Sequence, residues 1–331
     1  MLKLDRQKIK IYLGIFLSAF FVYIIYRLVD FKIVIESLAK FRYQYIILLV
    51  FLYIISMAIR AARWKRLLKQ EKIVPLGTVL SALGIGFMVN NVLPAKIGEL
   101  VRAEFIARKE KLSRGFALGT VFVERMLDVL LLVFFLFISV IFSRALVKII
   151  YSNRWSLFLI IFLIFFILFF LINKKYRERI FLIIIPKKFQ TQLSNFFSKL
   201  SKSVSFLKKK KVFTKIIIQT MAMWLCTVLS YFIIIKGMGV SLPLYAYLFI
   251  VSASTIGMVI PSSPGNIGVY HAVAMGSIMV FMVDKDTALA IAIIVYAFDL
   301  IPNIIFGTVV LLKENISVLK IYRKNLIQNE G

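Results

Sequence analysis

Thiol and imidazole chemistry are almost missing from this chain. It has one cysteine, Cys226, and one histidine, His271, in 331 residues. A single thiol closes no internal disulfide, and this set builds neither a cysteine nor a multi-histidine metal site. No metal and no cofactor is expected. Acid is scarce too: 15 Asp and Glu stand against 43 Lys and Arg, for a net charge of +28. Hydrophobic residues make up 61% of the chain and mean hydropathy is +0.91, which excludes a soluble globular domain.

What the chain has instead is apolar runs near the ~20 residues that cross a hydrocarbon core as a helix. Full spans are expected at 11–29, 45–59, 115–142, 156–172, 215–235 and 288–312. The first has no small-residue cleavage site after it, so it reads as a retained span rather than a signal peptide. Two further regions carry helix breakers. The run 76–93 meets Pro94 and the stretch IGELVRAEFIARKEKL; the run 244–260 meets PSSPGNIG and then 269–283. Each reads as a broken or re-entrant pair, tolerated at membrane depth only where protein or a water-filled cavity surrounds it. The expected fold is an all-α polytopic membrane protein of about six full spans plus two re-entrant helix pairs.

With both termini placed in the cytoplasm, 33 of the 43 Lys and Arg fall in inside segments and 9 in outside ones. That bias predicts a multi-pass cell-membrane protein in this orientation. Together with attraction to anionic inner-leaflet lipid, it explains the charge better than a nucleic-acid partner does. The basic segment 173–215, with KKKK at 208–211, divides a first membrane half, 1–172, from a second, 216–331. It reads as a solvated linker, and as a patch for anionic headgroups.

The halves carry matching features. VLPAKIGELV and VIPSSPGNIG pair Pro94 and Gly98 with Pro261 and Gly265; ALGTVFVERMLDVLL and ALAIAIIVYAFDLIP pair Asp128 with Asp299. The offsets, 167 and 171 residues, are nearly equal, so the repeat cores are 76–143 and 244–312. In the orientation above the two copies run in opposite directions, as in transporters whose site lies at the repeat interface near the midplane. Asp128 and Asp299, about twelve residues into their helices, are then roughly 18–20 Å deep and expected close together.

Carboxylates inside apolar runs carry the functional reading, because an ionised group at mid-bilayer costs at least ~2.5–3.5 kcal/mol. Glu124 and Asp128 share a helix face beside Arg125. With one local cation for two acids, a carboxylate is left to bind a proton, a cation or a cationic substrate group; the plain alternative is a buried ion cluster that fixes packing. Near the first break, Lys96, Glu99 and Arg102 surround the helix start at Gly98, a place for an anion or for a simple surface pair. Near the second, Gly265 and Gly268 allow close backbone approach, and Pro264, Asn266 and His271 adjoin them. Asn90 and Asn91 are further polar groups. The many aromatics are assigned no function.

The runs NNVLPAKIGELVRAEFI, VFVERMLDVLLL and IPSSPGNIGVYHAVA resemble the flippase-like transmembrane family, the membrane half of bacterial lysylphosphatidylglycerol synthases (multiple peptide resistance factors), over nearly the whole chain. Pro94, Lys96, Gly98, Glu99, Arg102, Glu124, Arg125 and Asp128 match the family pattern, with Lys96 where Arg is common. In the second half His271 stands near a position where the family often has Glu, which weakens any role carried over to it. The resemblance implies movement or binding of a polar-headgroup lipid between leaflets, and it makes membrane lipids and a separate lipid-synthesising enzyme the expected partners. No segment is long and polar enough for an aminoacyl-transferase domain, so no lysyl transfer and no enzyme activity is expected. A small-solute transporter, an intramembrane lipid-modifying enzyme and an accessory subunit are the rival readings.

Overall fold

In hydrocarbon the backbone has only itself to bond with, so long apolar runs become helices. The computed structural model describes residues 23, 26, 31–92, 97–143, 209–258 and 264–314. They form α1 Phe31–Ala39, α2 Ile46–Leu68, α3 Leu76–Val92, α4 Gly98–Glu110, α5 Arg114–Phe142, α6 Lys210–Gly237, α7 Leu244–Gly257, α8 Val269–Met279 and α9 Lys285–Lys313. No strand occurs among the described residues. The expected spans 11–29 and 156–172, most of the linker, Pro94, Lys96 and Pro261 lie outside them.

Four helices, α2, α5, α6 and α9, are long and apolar enough to cross a membrane. Two outrun expectation at their charged ends. The second runs on to Leu68, carrying Arg60 and Arg63, counted above in a cytoplasmic segment, into the helix. The sixth begins at Lys210, inside the expected linker.

Contacts fix the directions. Lys72, past α2, donates to the Glu110 carbonyl ending α4 (2.7 Å); the Ser113 N–H, before α5, donates to Glu71; Lys109 pairs with Glu314, just past α9 (2.6 Å). The ends of α2, α4 and α9 and the start of α5 therefore share one side, which is rich in Lys and Arg. On the opposite side the Arg42 N–H, before α2, donates to the Gly237 carbonyl ending α6 (3.3 Å). Helix α3 runs antiparallel to α9: Ser81 meets Glu314, Gly84 meets Phe306 and Val310, and Met88 meets Gly307. So α3–α4 is a hairpin entered from the basic side, and α7–α8 is one entered from the other. Their tips meet, for a Cβ on Gly265 would lie 3.3 Å from the Asn91 carbonyl.

Two inverted repeats result, α2–α5 and α6–α9, so each includes a long helix ahead of the hairpin. Packing is reciprocal: α2 lies on α6, α3 on α9, and α7 on α5. Helices α4 and α8 start 171 residues apart, as do α5 and α9, both 29 residues long. Asp128 and Asp299 are each the fifteenth residue of these helices, ~21 Å from either end. The Pro–Gly pairing moves in consequence. Gly98 corresponds by helix position to Val269, not Gly265, because the second connection is longer and turns through positive φ at Gly265 (72°), Asn266 (57°) and Gly268 (87°).

Candidate functional site

Three arginines and three carboxylates of the first repeat close into a ring of alternating charge. Arg63 of α2 holds Glu124 (3.2 Å) and Asp128 (2.6 Å) of α5. The other oxygen of Glu124 takes Arg102 of α4 (3.0 Å), and Arg102 also holds Glu99 (2.6 Å). Glu99 pairs with Arg125 (3.0 Å), and Arg125 returns to Asp128 (3.4 Å). The ring is neutral, and it pins the first hairpin tip to two spanning helices.

Neutral donors complete it. Asp128 accepts from the Trp224 indole N–H of α6 (3.2 Å), Arg63 donates to Thr220, and Arg102 lies over the Trp64 ring at 4.7 Å. Trp64 donates to Thr120. The tight seat of α4 needs Gly98, since a Cβ there would strike the Gly86 carbonyl and Asn90.

These contacts correct two expectations. Glu124 and Asp128 do not depend on Arg125 alone, because Arg63 and Arg102 also serve them. Nor is Arg102 half of a simple surface pair, being buried with its charge committed to Glu99 and Glu124. The ring meets open space only at its Arg125–Glu99 edge, where the side chains are 37% and 20% exposed.

The second repeat keeps the aspartate and lacks the cations. At the same spacing of 171, Arg63 becomes Ile234, Arg60 becomes Tyr231, Glu99 becomes Tyr270, Glu124 becomes Val295 and Arg125 becomes Tyr296. Trp224, which serves Asp128, corresponds to Tyr53 of α2, which stands by Asp299: its hydroxyl donates to Asn303 (2.9 Å), whose amide donates to the Asp299 carbonyl (2.6 Å). The Tyr231 and Tyr270 hydroxyls are 3.0 Å apart, Tyr296 donates to the Gly265 carbonyl (2.6 Å), and His271 lies 4.8 Å from the Tyr296 ring. Aromatics given no function above thus line this half of the site. Asp299 has no ion pair among the described residues. Arg60 is within electrostatic reach of both mid-helix aspartates and pairs with neither; it lies 5.1 Å over Phe87.

Asp299 sits on the packed side of its helix. On α9 it lies on the stripe of Ala292, Val295, Asn303 and Val310, all buried, and away from the exposed face of Ile301, Ile305 and Val309. Yet Asp299 is itself exposed. It is thus an accessible acid in the middle of a stripe whose other members are packed. Pro302 adds polarity beside it by removing the amide donor of the Phe298 carbonyl. Among the sequence-based candidates, Glu99, Arg102, Glu124, Arg125 and Asp128 come together in the ring. Asp299 and His271 stand in the aromatic half, and Asn266 is at the second tip.

Four long apolar helices and two shorter hairpins, arranged as two inverted repeats, define a polytopic all-α membrane protein. The chain belongs to the family described as the lysylphosphatidylglycerol synthase TM region, which it matches over residues 11–307. It is similar to the UPF0104 membrane protein PH1989 of Pyrococcus horikoshii, 26% identical over 292 residues that cover 81% of this chain and 87% of the relative. It is likewise similar to the UPF0104 membrane protein MJ1078 of Methanocaldococcus jannaschii, 28% identical over 238 residues, 70% of this chain and 96% of the relative. No solved structure matches it.

Proposed function

We propose that this protein binds a polar-headgroup lipid and moves it between leaflets, making and breaking no covalent bond. The observation that carries the reading is Asp299, an exposed carboxylate halfway along α9 with no ion pair among the described residues. Water-accessible polar groups at the centre of a span cost energy unless something polar passes or rests there. The exposed Arg125 edge supplies a cation for a phosphate, and the aspartate with its hydroxyl-bearing rings supplies acceptors and donors for the rest of a headgroup. A lipid is favoured as cargo because the family is described by a lipid synthase. The basic side faces the cytoplasm in this reading, with the chain in the cell membrane.

The test is reconstitution into phosphatidylglycerol-containing vesicles carrying a fluorescent phosphatidylglycerol, with dithionite quenching of the outer leaflet. The expected result is quenching beyond the outer-leaflet share in protein-containing vesicles alone. Quenching equal to that of empty vesicles contradicts the proposal.

A further inference from the structure

Asp128 and Asp299 occupy the same place in the two repeats and carry opposite electrostatic surroundings. The ring neutralises Asp128 with two arginines and an indole, leaving it no capacity to change charge without leaving an arginine unpaired. Asp299 is free of that constraint. The groups facing it are few: Tyr53 and Arg60 from α2, Tyr231 from α6, Tyr270 from α8 and Tyr296 on its own helix. Helix α3 carries no titratable side chain, and the charged residues of α1, Lys32 and Glu36, are exposed. Among the described residues Arg60 is the cation outside the ring that interacts electrostatically with both aspartates.

We propose that Asp299 is a proton-binding site, with Arg60 as its displaceable counter-charge, through which a proton gradient drives the movement of cargo. The step is a simple transfer. Water on one side of the membrane gives a proton to the Asp299 carboxylate; after the repeats rearrange, the carboxyl returns it to water on the other side. While Asp299 is charged it attracts Arg60, and once neutral it releases Arg60 toward the ring or toward an anionic cargo. The ionic state of one carboxylate thus sets where Arg60 goes.

A proton fits better than a metal cation. The described residues contain no group of three metal-binding side chains. Two oxygens of this half already accept hydrogen bonds: Asn303 Oδ1 from Tyr53, and the Gly265 carbonyl from Tyr296. One carbonyl freed by Pro302 does not make a coordination shell. Tyr231 and Tyr270 share one hydroxyl proton in their mutual hydrogen bond, and the one left over can be donated to the charged carboxylate and so let it form without a metal.

The coupling rests on the lipid-movement reading, whereas the proton site does not, and two measurements keep them apart. The first uses the full chain in detergent with dicyclohexylcarbodiimide, an apolar reagent that adds to a protonated carboxyl group and leaves an N-acylurea on it. Peptide mass spectrometry locates the modified residue over a pH series. Asp299 is modified, progressively less as pH rises; Asp128 and Glu124 are not; and in Arg60→Ala the modification of Asp299 persists to higher pH. The second uses the fluorescent phosphatidylglycerol vesicles with an imposed pH gradient. The gradient speeds movement several-fold in the wild type and not in Asp299→Asn, a near-isosteric change with matched thermal stability. An Asp299 that is unmodified at every pH, or modified independently of pH, overturns the proton site. So does protection of Asp299 by sodium chloride and not by choline chloride, which assigns the site to a metal cation. Modification as expected with no movement of the fluorescent lipid keeps the proton site and removes that lipid as the cargo.

Discussion

Asp128 and Asp299 stand at the same point of equal helices, and among the described residues only Asp128 is held by arginines. Both repeats carry the acid; the first sets it in a closed ionic ring and the second among tyrosines. We propose that the first aspartate holds the fold and the second works in transport. The predictions below separate those roles.

Removing Arg63 is expected to unfold more than it inactivates. Arg63→Ala removes the arginine that Glu124 and Asp128 share and leaves the buried ring one positive charge short, and losing one partner of a buried ion network costs ~3–5 kcal/mol. Thermal unfolding in detergent should show a large fall. A variant as stable as wild type would show that the ring is not what fixes the first hairpin.

Arg102→Ala is expected to behave similarly, because Arg102 is buried and joins Glu99 to Glu124. Removing Arg102 also exposes the Trp64 face it covers. Arg102→Lys should recover part of the stability, since one ammonium can replace only some of the guanidinium contacts. Equal stability of Arg102→Ala and wild type would contradict this.

Gly265→Ala tests the meeting of the tips. The residue has φ 72°, and a Cβ would lie 2.6 Å from the Tyr296 hydroxyl. A loss of ~1–3 kcal/mol is expected, from backbone strain and the displaced hydrogen bond. Unchanged stability would show that the second tip is not held against α9.

The Lys109–Glu314 pair ties the end of α4 to the end of α9, and Ser81 of α3 joins it. The hydrogen bond from Lys109 lowers the Glu314 carboxyl below its ordinary value. A carboxylate lowered in the folded state adds stability that is present above its unfolded value of ~4.5 and is lost as pH falls through the folded value. For an ion pair this close to water the contribution is ~0.2–1 kcal/mol. The stability difference between wild type and Glu314→Gln should be present at neutral pH and vanish in acid. A difference that grows in acid would reverse the assignment.

Much of this was legible in sequence. Period and length set α5 and α9 within a few residues, and the Pro–Gly breaks located both hairpins. Glu99, Arg102, Glu124, Arg125 and Asp128 were all singled out, and all five are in the ring. Arg63, which closes it, was missed because a basic residue at the end of an apolar run reads as a cytoplasmic anchor. The signal was there: Arg60 and Arg63 are i and i+3, and neither Pro nor Gly interrupts the chain before Gln70. The tyrosine half was invisible for another reason. Its members come from four helices, and only the 171-residue register brings them to one point. Nor can sequence tell a buried carboxylate from one facing water, since the exposure of Asp299 depends on the gap left between packed helices.

The most direct test pairs lipid movement with thermal stability for two equivalent changes, Asp128→Asn and Asp299→Asn. The expected result is a split. Asp128→Asn loses stability because Arg63 and Arg125 lose a charge partner, whereas Asp299→Asn stays as stable as wild type and no longer moves fluorescent phosphatidylglycerol. Full movement by Asp299→Asn, or equal loss of stability in both, would contradict the assignment of a structural role to one aspartate and a working role to the other.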